Sequence, residues 1–259
     1  MLRRPFSAIS ARLPRGWGDL GIQLVLFLVV YQGYQAVRGL ADGKAVIAFA
    51  NGERVMDLER SLGTFFEPGF QQALLDHRWL IDLANWAYFN THFVITVAFL
   101  AWLYLARNEH FYFVRNMFMV AMVVALVGYA AFPTAPPRFF PEAGFTDTVA
   151  SFTGIEQDQN AVASFLVNPY AAVPSMHIAF SLMIAVPAMA LMSSAIARAL
   201  WSAYPLLVFF VITVTANHYW FDAAAGAAVA CVAAVAAHQV ARVRPERWSW
   251  REAPGEVTA

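Results

Sequence analysis

The stretch of sequence that decides the fold is YWFDAAAGAAVACVAAVAAHQVA, at residues 219–241. At about 1.5 Å per residue, a helix of this length crosses the roughly 30 Å of hydrocarbon in a bilayer. The run contains one acidic residue, Asp222, close to its start. An unpaired carboxylate at the edge of hydrocarbon is costly, so we expect Asp222 to have a partner and a function.

Five further apolar stretches of comparable length lie at about 20–37, 80–105, 113–132, 175–193 and 199–216. The chain is 60% hydrophobic and 13% charged, with a mean hydropathy of +0.53, as is typical of integral membrane proteins. We predict an all-α fold: a polytopic bundle of six transmembrane helices. This single membrane domain occupies residues 20–241, between tails at 1–19 and 242–259. The arginines before the first stretch resemble those of a signal peptide, but no convincing cleavage site follows, which favours a retained signal anchor.

The charge balance excludes some classes of partner. The 17 basic and 17 acidic side chains give a formal net charge of zero, so the sequence predicts no electrostatic attraction of nucleic acid. The single cysteine, Cys231, excludes an intrachain disulfide. We expect the partners to be membrane lipids, and the sequence does not indicate an oligomeric state.

The distribution of Lys and Arg predicts the orientation in the membrane. With a cytoplasmic N-terminus and six spans, eleven of the 17 basic residues lie on the cytoplasmic side: Arg3, Arg4, Arg12, Arg15, Arg107, Arg115, Arg198, Arg242, Arg244, Arg247 and Arg251. Both termini are therefore predicted to be cytoplasmic, in a plasma (inner) membrane. The same topology places Arg138, His177 and His218 together on the extracytoplasmic face.

Residues 46–66 predict an interfacial amphipathic helix. Val55, Leu58, Leu62 and Phe65 recur at helical spacing, and charged residues occupy the other face: Glu53, Arg54, Asp57, Glu59 and Arg60. Such a helix either packs over the outer ends of the bundle or forms a lipid-facing gate beside a substrate entrance.

Two short motifs carry candidate chemistry. His218 and Asp222 are four residues apart and share a helix face, so the carboxylate can hold one ring nitrogen while the other attacks phosphorus. His177 stands in the first turn of the fourth span, where an imidazole can protonate a departing oxygen. Three side chains then suffice for phosphoryl transfer without a cofactor. A structural His/Asp pair joining two spans is the simpler interpretation, and a two-His, one-carboxylate metal site is another.

Other residues fit an anion site at the same face. Ser175 can cap the fourth span and leave its first amides free for phosphate. Prolines stiffen the Pro133-Thr134-Ala135-Pro136-Pro137-Arg138 segment, so Arg138 is presented at a defined place for bidentate phosphate binding. Asn217 can donate a neutral hydrogen bond.

The second span carries a polar face. Asn85, Tyr88 and His92 are spaced three and four residues apart, so they lie on one side of the helix and must look inward. They form either a hydrogen-bonded seam between helices or a wall of the substrate pocket.

These motifs resemble a known family. Pro174-Ser175-x-His177, followed by His218-x3-Asp222 and preceded by Arg138, looks like the type 2 phosphatidic acid phosphatase superfamily of six-span lipid phosphatases. The sequences around Arg138 and around Asn217-His218-Tyr219 are similar to those of the inositol phosphorylceramide synthase branch of this superfamily. The resemblance implies a covalent phosphohistidine on His218 oriented by Asp222, with His177 as general acid and Arg138 on the phosphate oxygens.

The chain departs from the phosphatase pattern at two positions. Ala131 and Ile212 stand where the pattern has a Lys and an Arg. A site with less positive charge favours a singly charged phosphodiester as substrate over a phosphomonoester dianion. We therefore predict transfer of a phosphoinositol-type headgroup from a phospholipid to a lipid alcohol. The alternatives are a lipid or polyprenyl phosphate phosphatase and a catalytically inactive lipid-binding scaffold.

Overall fold

A computed structural model describes residues 13–39, 44–154 and 170–250 of the chain. These residues form helices and no strands, and the helices are α1 Gly16–Gly39, α2 Ala45–Ser61, α3 Glu67–Gln72, α4 Arg78–Ala106, α5 Asn108–Ala131, α6 Thr148–Thr153, α7 Met176–Leu191, α8 Ala195–Val214, α9 Trp220–Ala241 and α10 Pro245–Trp248. Two short 3-10 turns, Pro137–Phe139 and Pro141–Ala143, follow α5.

Each of the six predicted spans coincides with one long helix: α1, α4, α5, α7, α8 or α9. Among the described residues, α4, α5, α8 and α9 are long and apolar enough to cross a membrane. The apolar helix α7 has 16 residues. The all-α, multi-pass character is thus confirmed, whereas the count of six spans stays a prediction. Arg3, Arg4, Arg12 and Arg251, on which the predicted orientation partly depends, lie outside the described residues.

The core is formed where α9 packs between α5 and α7. Ala223, Ala230 and Ala233 of α9 are buried there against Val114, Ala121 and Ala179. Gly226 makes the closest approach, because a Cβ atom at this position would overlap the carbonyl oxygen of Ser175. This absence of a side chain lets the start of α9 lie directly against the start of α7.

Replacing Gly226 by Ala should therefore destabilise the fold. We expect a loss of about 1–3 kcal/mol because the added methyl group must push the backbone of Ser175 away. Thermal unfolding of purified Gly226→Ala in detergent measures this as a lower Tm. Gly21→Ala is the matched control, because a Cβ atom there meets nothing within 4 Å. Equal Tm values for the two variants would contradict the close packing.

The predicted amphipathic segment is helical, but its buried stripe differs from the prediction. The buried residues of α2 are Ala48, Asn51, Gly52, Val55, Met56 and Glu59. Leu58 and Leu62, assigned to the apolar face, are exposed. Glu59, assigned to the charged face, is fully buried. The reason is tertiary, since the Glu59 carboxyl group accepts a hydrogen bond from the Phe221 amide of α9.

Helix α2 supports the segment that carries Arg138. The Ala48 carbonyl oxygen accepts from the Ala135 amide at 2.9 Å, and the Asn51 side chain donates to the Pro133 carbonyl oxygen at 2.8 Å. The ring of Phe140 occupies the space beside Gly52. The helix therefore packs over one end of the bundle, as the first of the two interpretations predicts. The gate interpretation stays untested.

Aromatic and charged residues close the other end of the bundle. The Asp19 carboxylate of α1 accepts from the hydroxyls of Tyr112 at 2.6 Å and Tyr104 at 3.1 Å. The Arg115 guanidinium lies 5.8 Å from the Trp248 ring, and the His110 and Trp250 rings are 4.3 Å apart. These contacts join α1 and the C-terminal segment to α4 and α5.

Candidate active site

His218 lies in the turn between α8 and α9. The amides of Asn217 and His218 both donate to the Ile212 carbonyl oxygen, at 3.0 and 3.2 Å. Ala216, which precedes them, has a left-handed backbone with φ of 51°. This conformation costs an alanine about 1 kcal/mol, which the surrounding hydrogen bonds offset. The turn directs the His218 ring back into the protein, where the residue is 5% exposed.

The partners of His218 determine its tautomer. Its Nδ1 lies 3.0 Å from the Ala172 carbonyl oxygen and 3.3 Å from Oδ2 of Asp222. A carbonyl oxygen can only accept, so we assign the proton to Nδ1. The lone pair is then on Nε2, the atom free to attack an electrophile. Asp222 thus lies beside His218, as the i, i+4 spacing predicts.

Burial keeps the ring in its nucleophilic form. Desolvation lowers the pKa of His218 to about 3, with a further contribution from the charge of Arg138 and an opposing one from the Ala172 carbonyl. Imidazole acts as a nucleophile only when it is neutral. The burial of His218 therefore favours a neutral ring near pH 7.

Arg138 lies beside His218 and is itself buried. Its amide donates to the Ala216 carbonyl oxygen at 2.9 Å, which joins the proline-rich segment to the turn that carries His218. Its guanidinium donates to Oδ1 of Asn217, and its Nε lies 3.9 Å from Oδ2 of Asp147 without a hydrogen bond. The remaining guanidinium N–H groups can bind an anion.

The side chain of Asn217, a predicted phosphate ligand, lies between Arg138 and Thr215. It accepts from Arg138, and its amide group donates to the Thr215 hydroxyl at 2.7 Å. Both ends of its side chain are therefore occupied by protein. Asn217 orients the guanidinium, so direct phosphate binding by Asn217 requires one of these bonds to break.

His177 meets the other side of the His218 ring. The two ring centroids are 5.5 Å apart. Tyr88 stacks on His177 at 4.5 Å and His92 packs against it at 4.7 Å, so α4 holds the imidazole from behind. The predicted nucleophile and the predicted acid thus lie together at one end of the bundle, with Arg138 nearby.

Ser175 only partly matches its predicted role. It lies at the N-cap position of α7, but its side chain makes no capping hydrogen bond. Its hydroxyl is fully buried and has no hydrogen-bond partner among the described residues. The amide of Ser175 instead donates to the Asp222 carbonyl oxygen at 3.0 Å. The difference follows from the close approach of α9 at Gly226, because α9 then contacts the backbone of Ser175 directly.

The polar face of α4 divides into two parts. The Asn85 amide group donates to the carbonyl oxygens of Ile81 at 3.1 Å and Thr148 at 3.3 Å, which ties α4 to α6. Asn85 is fully buried in this seam. Tyr88 and His92 instead line a cavity of about 120 Å³ beside His177, with Leu207, Val208 and Val211 of α8 opposite. Asn85 thus lies in a seam between helices and the next turn lines a cavity, whose use as a substrate pocket stays a prediction.

Two buried carboxyl groups were not anticipated as site residues. Oε1 of Glu67 accepts from the Trp220 amide at 2.9 Å, and Oε1 of Glu59 accepts from the Phe221 amide at 3.1 Å. Both are fully buried at the start of α9. No local signal distinguishes Glu59 from the exposed Glu53 and Asp57 on the same helix.

The geometry does not favour the metal alternative. Within the described ranges, no group of three or more His, Cys, Asp and Glu side chains is arranged to hold a metal ion. The His177 and His218 rings meet edge to face, with an interplanar angle of 61°, and Nδ1 of His218 lies 3.0 Å from a carbonyl oxygen.

Comparison with known proteins adds an independent finding. Residues 53–236 match the family model described as the PAP2 superfamily. The match includes every predicted site residue, from Asn85 to Asp222. No curated protein and no solved structure matches the chain. The predicted superfamily is therefore confirmed, and the inositol phosphorylceramide synthase branch stays a prediction.

Proposed function

The chain belongs to the PAP2 superfamily, and from this premise we propose that it transfers a phosphoinositol-type headgroup from a phospholipid to a lipid alcohol. Membership supports the coarser function, lipid phosphatase or phosphotransferase chemistry in a membrane. One observation carries the proposal: the Ala172 carbonyl and Asp222 hold Nδ1 of His218, so that Nε2 is presented beside His177 and Arg138.

The first step forms a covalent intermediate. Nε2 of His218 attacks phosphorus, the N–P bond forms, and the bond from phosphorus to the diacylglycerol oxygen breaks. Protonated His177 gives its proton to that departing oxygen, so diacylglycerol leaves as a neutral alcohol. The bound phosphodiester anion favours the protonated form of His177. Arg138 stabilises the negative charge on the phosphorus oxygens.

The second step returns the enzyme to its starting form. Neutral His177 takes the proton of the acceptor hydroxyl, whose oxygen attacks phosphorus as the N–P bond breaks. The headgroup is then on the acceptor lipid, and His218 is neutral again with its proton still on Nδ1. Asp222 stabilises the positive charge that the His218 ring carries while it is bonded to phosphorus. Neither step uses a metal ion.

The charge of the site favours a phosphodiester. Among the described residues, Arg138 is the only buried Arg or Lys. Ile212 is fully buried where the phosphatase pattern has an Arg. The Lys44 ammonium reaches the neighbourhood of Ala131 but donates to the Ala130 carbonyl oxygen, in an exposed bond. A single guanidinium balances the one negative charge of a phosphodiester better than the two negative charges of a phosphomonoester.

The cavity beside His177 supports a lipid substrate. Its lining is mostly apolar and lies between α4 and α8, which are both long and apolar enough to cross a membrane. The hydrocarbon part of a lipid alcohol can lie there while its hydroxyl reaches His177. We further infer, from the bias of arginines, that the site faces the extracytoplasmic side of the plasma (inner) membrane.

Product analysis tests the proposal. Purified protein in lipid nanodiscs is incubated with headgroup-labelled phosphatidylinositol or labelled phosphatidic acid, with and without ceramide as acceptor. We expect diacylglycerol and a new headgroup-bearing lipid from phosphatidylinositol, in amounts that depend on ceramide. A chelator should leave the rate unchanged, because the mechanism needs no metal.

The other outcomes distinguish the remaining functions. Release of inorganic phosphate from phosphatidic acid, without transfer from phosphatidylinositol, would replace the proposal by a lipid phosphatase. Release of inorganic phosphate from a polyprenyl phosphate, tested in the same way, would indicate the other class of phosphatase. Lipid binding without turnover of any of the three substrates would indicate the inactive scaffold.

A further inference from the structure

Three consecutive amides at the start of α9 each donate to a different carboxyl group. The amide of Tyr219 donates to Oδ2 of Asp222 at 3.0 Å, that of Trp220 to Glu67 at 2.9 Å, and that of Phe221 to Glu59 at 3.1 Å. The first amides of a helix have no partner within the helix, and a negative charge there is favourable. The two glutamates come from α2 and α3, so distant parts of the chain hold the start of α9.

The held segment is the one that presents the candidate catalytic groups. His218 precedes the first of the three amides, and Asp222 follows the last. The Tyr219 hydroxyl also donates to the Ala135 carbonyl oxygen at 3.2 Å, which links the same segment to the loop of Arg138. A shift of these amides therefore moves Nε2 of His218 relative to Arg138 and His177.

The two glutamates also face each other. Oε2 of each is buried and has no hydrogen-bond donor among the described groups. Their Oε1 atoms accept from the adjacent amides of Trp220 and Phe221, so the two carboxyl groups are neighbours at the start of α9. Two ionised carboxylates repel strongly in a dry site, whereas one shared proton converts the repulsion into a hydrogen bond.

We propose that Glu59 and Glu67 share one proton and, as a pair, act as positioning residues that hold the first amides of α9 and thereby align His218 and Asp222. The pair carries one negative charge in this state, which matches the positive end of the helix. Its effect on turnover rests on the proposed function, but its protonation does not.

The surroundings favour the shared proton over a wide range of pH. Burial, the nearby Glu67 and the more distant Asp222 raise the pKa of Glu59 to about 9. Burial also raises the pKa of Glu67. The phenol of Tyr219, the residue before α9, is a further titratable group near the pair. The Arg60 guanidinium of α2 bonds Asp57 and lies over the Phe65 ring.

The sign of the pH dependence follows from the raised pKa. A carboxyl group whose pKa is higher in the folded protein than in the unfolded chain contributes stability at low pH, which is lost as the pH rises through the folded value. Above about pH 9 the pair loses its proton and its two charges repel. We therefore expect kcat to fall about tenfold per pH unit above the pKa of the pair, with a smaller change in KM.

Isosteric variants test the pair. In Glu67→Gln, the amide oxygen can still accept from Trp220 while the amide group donates to Glu59, which reproduces the singly protonated pair without a titratable proton. We expect kcat near wild type at pH 7 and no alkaline fall. Glu67→Ala should lose about tenfold in kcat at pH 7 because the Trp220 amide is left without its acceptor. Glu53→Gln, an exposed carboxyl on α2, is the control and should keep the wild-type profile.

Infrared spectroscopy tests the shared proton without an assay. We expect wild-type protein at pH 7 to show the C=O stretching band of a buried protonated carboxyl, which disappears on titration past about pH 9. The band should be absent in Glu67→Gln and Glu59→Gln and present in Glu53→Gln. Absence of the band in the wild type would overturn the shared proton. If turnover is measurable, a pH profile of Glu67→Gln that superimposes on the wild-type profile would overturn the positioning role. If none of the lipids reacts, the proposed function fails and the spectrum alone decides the shared proton.

Discussion

His218→Ala should abolish turnover, with a loss of at least about 10³-fold in kcat for any lipid that the wild type converts. The substitution removes the atom that bonds to phosphorus. The Arg138 and His177 side chains that remain can bind the substrate but cannot form the intermediate. Rates are measured in nanodiscs with labelled phosphatidylinositol and phosphatidic acid.

A matched control and a trapping experiment make this test specific. His238→Ala removes an exposed histidine from the far end of α9 and should leave kcat unchanged. Rapid quenching of the wild type under alkaline conditions, where N–P bonds persist, should give a peptide in which His218 carries the transferred group. Full activity of a folded His218→Ala variant would exclude the mechanism.

His177→Phe should produce the second large effect, and its size should depend on the leaving group. Phenylalanine keeps an aromatic ring stacked on Tyr88 but has no proton to donate. We expect a loss of about 10²–10⁴-fold with lipid substrates, whose alcohol leaves poorly without protonation. The nitrophenol of a nitrophenyl phosphate ester leaves with little need for protonation, so the rate of the first step with this substrate should be nearly unaffected.

The same variant should show a burst. With the nitrophenyl ester, the variant should release about one nitrophenol per enzyme quickly and then turn over slowly, because the second step lacks its general base. Stopped-flow absorbance measures both phases on one sample, so incomplete folding lowers both amplitudes together. An equal loss in the first step for lipid and nitrophenyl substrates would show that His177 acts only through packing.

The local chemistry of the site was accessible from the sequence because it depends on short spacings. A separation of four residues predicts that Asp222 lies beside His218, and their distance of 3.3 Å agrees, although His218 lies in the turn before α9 rather than on the helix. A proline-rich segment after a span presents Arg138 at the bundle end, where the structure places it beside His218. Apolar runs long enough for a bilayer predicted the six apolar helices α1, α4, α5, α7, α8 and α9.

Interactions between distant segments were not accessible in the same way. Ser175 has the right type and position for a cap, yet its hydroxyl makes no bond, since Gly226 brings α9 against its backbone. Asn217 fits a phosphate ligand by type, but its neighbours are Arg138 and Thr215. The helical pattern of α2 indicates a charged outer face that includes Glu59, which is buried.

The sequence by itself determined the long apolar helices and the proximity of His218 and Asp222, because hydrophobic length and i, i+4 spacing act within one segment. Only the tertiary structure decided which atom of His218 is free, what orients Arg138 and which carboxyl groups hold the start of α9. Those features depend on the Ala172 carbonyl and on Asn217, Glu59 and Glu67, whose contacts are set by how the segments pack. Burial converts an ordinary glutamate into a hydrogen-bond acceptor for a distant helix, and burial is a property of the whole fold.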